Sequence, residues 1–543
     1  ANSTASSYVE IDLTNKPVAE YTLTVNAEIS SETDCDIGFA TVKEKLETPN
    51  YSDTTGRFIY ISGEIVAKDY TTVLQGGKKY YLYLGYRKDG NKDTGNDVFK
   101  INSININGGI TGVINSTGAT ILSNNSNATI SDINMKFSAT GSNYKWLNNI
   151  VNSGNLVINS GGIVTNGKYT RGIYNTGVLN INGGLIDNGN NSNTRCIQNN
   201  DEGSVNIANG VIKSNYNSNT GIDVYNIYNN STNDIVIGDT NQQNNPEITL
   251  NGGTGIYNNN SGNIIINSGK IVSANGFGIQ NKSTGNINVK NATIDTYRYS
   301  IQEDGDSNII VENSNITSRY GNSAGTAIYL SKGNLEIKSG SINGYYGIFV
   351  NSSDSSEVTI NEGTVTGRDY GIYANYGKVT IYNCNISGTN GTGIYLGYSS
   401  IVQLGEKDGT VSTTIPSVYG KEKGVNIASS SASFNFYDGI IEGKEGNSIT
   451  GTVNDKETGY EVKKTVENSR ETAVLEEQFI AEVESTGTTY KNIQDAVDNT
   501  QNTDKITIIN STSLGNTIES IKIPAEKEIK LDLASWVYYR SYK

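Results

Sequence analysis

Histidine is absent from the 543 residues, and methionine (1), tryptophan (2), cysteine (3) and proline (5) are all scarce. Without imidazole there is no histidine general base, no His–Cys nucleophile pair and no histidine ligand for zinc. Basic residues are outnumbered, with 41 Lys+Arg against 55 Asp+Glu and a net charge of -14, so there is no cationic stripe for nucleic acid. No apolar run approaches the roughly 18 residues needed to span a bilayer. No charged, apolar-cored leader opens the chain, and Ala1 is expected to be the first residue of a processed protein. No cell-wall sorting signal is recognisable at the other end.

What fills the sequence is Asn, the commonest residue, with 60 Gly and 35 Tyr. Ile and Val recur through this polar background at strand spacing, which distinguishes it from disordered filler. A short Gly-Ile-Tyr-Asn-like element repeats, its aliphatic positions being Val113, Ile150, Ile173, Ile197, Ile227, Ile256, Ile279, Ile301, Ile328, Ile348, Ile372, Ile394 and Val425. After a first wider gap the spacing is roughly 20 to 31 residues, a solenoid period. A second element follows in each period, as in Gly154, Leu156, Ile158, Gly161 and Ile163, or Gly177, Leu179, Ile181, Gly184 and Ile186. Alternation places aliphatics on one face of each strand and polar residues on the other. Three short strands per period specify one coil of a parallel β-helix, and about 13 coils are expected. A helical repeat is disfavoured by the frequent Gly and the missing 3.6-residue period.

The alternation assigns side chains. If Ile173 faces inward, Tyr174 faces out and Asn175 in. Asn115, Asn152, Asn175, Asn199, Asn229, Asn258 and Asn281 are therefore expected to stack coil on coil as a structural amide ladder. From Glu303 the position turns apolar through Leu330, Val350, Ala374 and Leu396, so the ladder should stop midway. Outside, Tyr174, Tyr228, Tyr257, Tyr329, Tyr373 and Tyr395, with Phe349 and with Gln198, Gln280 and Gln302 interleaved, should form a stripe. It is a candidate contact surface for glycan or for another subunit, or else a stiffening self-stack. Cys196 and Cys384 occupy small-residue slots several coils apart, too distant for a disulfide, and with Cys35 are read as free thiols.

Residues 1–98 lack the repeat and carry longer alternating strands at Tyr21–Ala27, Arg57–Ser62 and Lys79–Gly85, as expected of an antiparallel β-sandwich. The following loop places Asp89, Asn91, Asp93 and Asp97 at near-alternate positions. They are candidate ligands for a structural calcium ion, although a polar hairpin loop has the same composition. No other cofactor is expected. The repeat occupies 99–450, a short Glu/Lys/Thr-rich, β-rich connector 451–477, and an α/β segment 478–543, where Ile493, Ala496 and Val497 give one short amphipathic helix.

The solenoid resembles the pectin-lyase-like superfamily of polysaccharide lyases and hydrolases, phage tailspikes and bacterial adhesins. Its Asn/Gly-rich Gly-Ile-Tyr coils look most like surface proteins of Gram-positive gut bacteria. Tyr21–Ala27, Lys79–Gly85 and Asn96–Ile104 resemble jelly-roll carbohydrate-binding modules. Thr489–Asp498 with the strand after it is similar to the opening of a second β-helix, so 478–543 is expected to be a cap or a truncated second start. The hydrolase branch uses a Gly-His-Gly phrase that this chain cannot contain. The acids Glu303, Asp304 and Asp306 lie on one coil without matching acids on its neighbours, so two carboxylates at a working separation are not expected. These readings imply a right-handed, non-enzymatic, extracellular solenoid, a stalk or fibre subunit capable of head-to-tail self-association. The alternative is a glycan-binding or polysaccharide-degrading β-helix.

Overall fold

A computed structural model describes residues 3–14, 20–33, 36–47, 52–88, 98–107, 112–117, 120–142, 145–217, 224–352, 356–501, 503–509, 521–525 and 527–532. The Asp89–Asp97 loop, with all four candidate calcium ligands, lies outside these residues, as does Cys35.

Alternating apolar residues in the N-terminal unit build seven strands: β1 (Ser3–Asp12), β2 (Glu20–Ser30), β3 (Ile37–Lys43), β4 (Arg57–Ile61), β5 (Glu64–Gln75), β6 (Lys79–Lys88) and β7 (Val98–Asn107). They form two antiparallel sheets, β1-β6-β3-β4 and β5-β2-β7. The inward residues of β2 (Leu23, Val25, Ala27) share one core with Ala40 of β3, Ile59 of β4 and Leu82 of β6. The boundary expected at residue 98 is corrected by β7, which pairs with β2 from Val98 to Asn107. Phe99 of β7 fills the space that Gly38 leaves open, where a Cβ would lie 2.4 Å from its ring. The sandwich is incomplete without that strand.

Beyond it the chain is a parallel β-helix of about 14 turns, one more than the repeat count implies. Each regular coil has three strands, such as Thr170–Asn175, Val178–Ile181 and Leu185–Asp187. Each strand pairs in parallel with its counterpart one coil on, so Ile173 meets Ile197 and Leu179 meets Val205. The inward column of the first strand runs from Leu122 through Ile150 and Ile173 to Val425 and Ile449. Val113 is not on it: Leu122 holds the place before Ile150, and Ile449 adds a rung at the far end. Gly154 and Gly177 mark the first corner, where coils approach so closely that a Cβ on Gly177 would lie 2.1 Å from the Gly154 carbonyl oxygen.

The β-rich 451–477 segment is a hairpin that docks on the coils. Tyr460–Glu467 and Arg470–Glu477 form an antiparallel hairpin, and the second strand pairs antiparallel with Ile440–Lys444 of a late coil. The C-terminal segment folds around Ile480, Ala481, Val483, Ala496, Val497, Ile506 and Ile508. Its helix α1 (Ile493–Asn499) is capped by Asn492, whose Oδ1 accepts from the Asp495 amide at 2.7 Å. Lys505–Ile508 pairs in parallel with Lys530–Asp532 but antiparallel with Ala481–Val483. Among the described residues no helix is long and apolar enough to cross a membrane.

Candidate functional site

Two side-chain arrays run along the solenoid, one inside and one outside. The inner array lies at the first corner. Asn124 donates through Nδ2 to Oδ1 of Asn152 (2.7 Å), Asn152 to Asn175 (2.7 Å), and Asn175 to Asn199 (2.8 Å). Asn199 donates to Asn229 (2.9 Å), Asn229 to Asn258 (2.8 Å), and Asn258 to Asn281 (2.9 Å). The second N–H of each amide serves the turn, as where Asn175 Nδ2 reaches the Gly177 carbonyl at 2.9 Å. Asn124 therefore fills the rung that the repeat spacing assigns to Asn115. Asn115 belongs to the earlier strand Gly112–Ser116, and its side chain lies outside the described residues.

The ladder ends on Glu303. Its Oε2 accepts from Asn281 Nδ2 (2.8 Å) and Ser307 Oγ (2.7 Å), and the residue is 0% exposed. Burial pushes its carboxyl up to about 7, against the downward pull of those two donors. Leu330, Val350, Ala374 and Leu396 then continue the column, all fully buried. The three neighbouring acids are thus split by direction. Glu303 faces the core, Asp304 faces out against Lys282 and Gln302 Nε2, and Asp306 is exposed.

The outer array is wider than simple alternation predicts. The strand Thr170–Asn175 has two successive buried residues, Gly172 and Ile173, with Arg171 and Tyr174 facing out on either side. Hence each first strand presents two outward columns. One carries Tyr174, Gln198, Tyr228, Tyr257, Gln280, Gln302, Tyr329, Phe349, Tyr373 and Tyr395 in register. The other carries Arg171, Arg195, Tyr225, Thr254 and Phe277, and later Tyr346 and Tyr370, with Tyr225 and Thr254 buried beneath their neighbours. The strict alternation used for the sequence misses this second column. The usable signal is a small residue directly before the inward Ile, which lets two consecutive side chains turn in.

The rings pack on one another. Tyr373 stacks on Tyr395 at 4.5 Å and 4°, Tyr346 on Tyr373 at 5.2 Å and 5°, and Tyr228 on Tyr257 at 5.4 Å and 10°. Phe349 stands edge-on between Tyr329 and Tyr373. Burial, and then the neighbouring Tyr370 phenol, push the Tyr346 hydroxyl up to about 12. Gln280 donates to Gln302 at 2.8 Å where the rings are interrupted.

At the N-terminal end of these columns rings give way to cations. The Arg171 guanidinium lies 4.9 Å from the Trp146 ring and 5.1 Å from Tyr174. Arg195 lies 4.6 Å from Trp146 and 3.7 Å from Tyr228. Burial and the like charge of Arg195 lower the Arg171 pKa to about 10.

Cys196 and Cys384 are buried free thiols. Cys196 sits in the small-residue slot beside Ile197 and donates to the Lys213 carbonyl at 3.1 Å. Burial raises both thiol pKa values, that of Cys384 to about 12. Among the described residues no three acidic or thiol side chains gather into a metal-binding group.

No family model, curated protein or solved structure matches this chain.

Proposed function

We propose that the chain is a secreted, rigid, non-enzymatic solenoid displayed on the surface of a bacterium, Gram-positive by its coil type, where it serves as a stalk or fibre subunit bearing an adhesive face. The observation that supports this reading is the outer array. Its rings spend their faces on each other, as in the near-parallel Tyr346–Tyr373–Tyr395 run, so that ring edges and hydroxyls are what the column offers a partner. A stiff, in-register comb of this kind fits a contact surface better than a reaction cleft. Head-to-tail association of copies belongs to the same proposal. An antiparallel sandwich precedes the coils and an α/β segment follows them, and unlike surfaces that do not close a ring propagate as filaments.

Electron microscopy of the purified chain tests the stalk reading, which expects straight rods of uniform width that lengthen by end-to-end addition. A polysaccharide panel scored for new reducing ends or unsaturated products tests the rest. Steady turnover of any member would overturn the non-enzymatic assignment.

A second reading, glycan binding, is favoured by one place on the same face: the cluster of Trp146, Arg171 and Arg195, where two cations stand among rings.

A further inference from the structure

We infer that a short file of bound water molecules lies inside the solenoid at its third corner, where the third strand of a coil turns into the first strand of the next. The residue two places after the inward Ile of each third strand points into this corner. Over successive coils it is Thr165, Asn188, Ser214, Leu250, Ser273, Thr296 and Ser318, all of them buried. The last three are served by the turn beside them. Ser273 Oγ accepts from the Gly276 amide at 2.7 Å, and the hydroxyls of Thr296 and Ser318 donate to the Arg298 carbonyl at 2.8 and 2.6 Å. The first three are not served. Thr165 Oγ1, Ser214 Oγ and both Oδ1 and Nδ2 of Asn188 have no hydrogen-bond partner among the described residues.

A fifth such atom faces them from the first strand. Asn149, Gly172, Cys196 and Asn226 hold the places before the inward Ile150, Ile173, Ile197 and Ile227. Cys196 Sγ donates to the Lys213 carbonyl at 3.1 Å, and Asn226 Nδ2 to the carbonyls of Ile212 and Thr249 at 3.0 and 2.9 Å. Asn149 Nδ2 reaches the Val164 carbonyl only at 3.5 Å, and its fully buried Oδ1 has no partner among the described residues. Gly172, between Asn149 and Cys196, brings no side chain that could answer Thr165 or Asn188. Apolar residues bound the stretch, Phe137 on the strand before Thr165 and Leu250 after Ser214, both buried. The first corner shows why the amide here is left over. There every rung is Asn and each answers the next, whereas Asn188 is flanked by the shorter Thr165 and Ser214, with which it makes no bond.

The orphan atoms select their ligand. A polar atom buried without a partner loses its hydration and regains nothing, and five in one corner would weigh against folding about as heavily as a domain's whole net stability. The set is mixed in sign. Asn188 Nδ2 only donates, the Oδ1 atoms of Asn188 and Asn149 only accept, and the two hydroxyls do either. A metal cation would serve the oxygens and confront the amide hydrogens, and an anion would do the reverse. Water both donates and accepts. At about three hydrogen bonds to each buried water, the five atoms and the spare lone pairs of the corner carbonyls are the complement of about two or three molecules.

A crystal structure of the full chain, at a resolution that places ordered water, tests this directly. Water is expected within hydrogen-bonding distance of Asn188 Oδ1 and Nδ2, Thr165 Oγ1 and Ser214 Oγ. Direct bonding of Asn188 to Thr165, Ser214 or Cys196 overturns the inference, and so does density for an ion or an organic molecule. Urea unfolding gives a second measurement that needs no crystal. Thr165→Val keeps the shape of the side chain and deletes the hydroxyl. If that hydroxyl is hydrated, Val strands a water and the midpoint falls; if it is unbonded, Val removes a buried polar group and the midpoint rises. Thr296→Val, which loses the bond to the Arg298 carbonyl, sets the scale, and a fall of similar size is expected at Thr165. A rise, or no change, overturns the inference. A dry third corner would leave the stalk and glycan readings standing while this one falls.

Discussion

Asn281 hands its amide N–H to the carboxylate of Glu303 across 2.8 Å, and with that bond a file of seven consecutive side-chain donations comes to an end. Every amide in the file points the same way, donor toward the C-terminus. Another Asn at the last place would leave an N–H against the apolar column that begins at Leu330. The Glu303 carboxyl accepts that bond through Oε2 and carries no N–H of its own to strand there.

The ladder should be costly to interrupt. Asn199→Ala removes the acceptor of Asn175 and the donor of Asn229, both fully buried, and opens a cavity. A loss of about 2–4 kcal/mol is expected. Asn206→Ala, on the exposed outer file, should cost less than about 0.5 kcal/mol. Denaturant unfolding of the two variants checks the contrast.

Glu303 gives the stability a pH slope of definite sign. Its folded-state value of about 7 lies above the ordinary 4.5, so the folded chain binds the proton more tightly than the unfolded one. Its contribution is complete below about pH 4.5, declines as pH rises toward 7, and is gone above that, a change on the order of 3 kcal/mol. Melting curves between pH 4.5 and 8 should show this decline, and Glu303→Gln should flatten it.

Cys196 and Cys384 should be inert in the folded chain. In a Cys35→Ser background, a thiol reagent at neutral pH should label neither until denaturant is added, because burial disfavours the thiolate at both. Rapid labelling of the native protein would show that the coils open locally.

The hairpin Tyr460–Glu477 should protect a sheet edge. Ending the chain after Glu457 strips the antiparallel partner from Ile440–Lys444 and leaves its backbone groups open. Light scattering that grows with concentration is expected of the truncated chain but not of the chain ended after Glu477. Equal behaviour of the two would assign the protection elsewhere.

The solenoid was legible because its repeat states the inward residues directly. Ile150 through Val425 fall in register as spaced, and the switch from Asn281 through Glu303 to Leu330 is written in consecutive copies. The first rung is not legible because Asn115 and Asn124 both lie in the last two places of a short strand and only pairing tells them apart. The second outward column was hidden by the paired inward residues Gly172 and Ile173, which violate period two. Trp146 lies outside the repeat altogether, and only the fold brings its ring to Arg195. The β character of 451–477 is legible, but its docking on Ile440–Lys444 is not, because that pairing runs antiparallel to the rule of the solenoid.

The change of filling at Glu303 divides the solenoid into two stretches that obey different rules of growth. Ahead of it, a coil carrying Asn can be duplicated or lost and the file simply gains or drops a link. Behind it, only a coil with an aliphatic residue at that place fits. A copy moved across the divide would set an unpaired amide in an apolar column or a gap in a polar one. The number of coils is therefore free to drift on either side, while the junction itself, Asn281 on Glu303 with Ser307 beside it, can neither be repeated nor omitted.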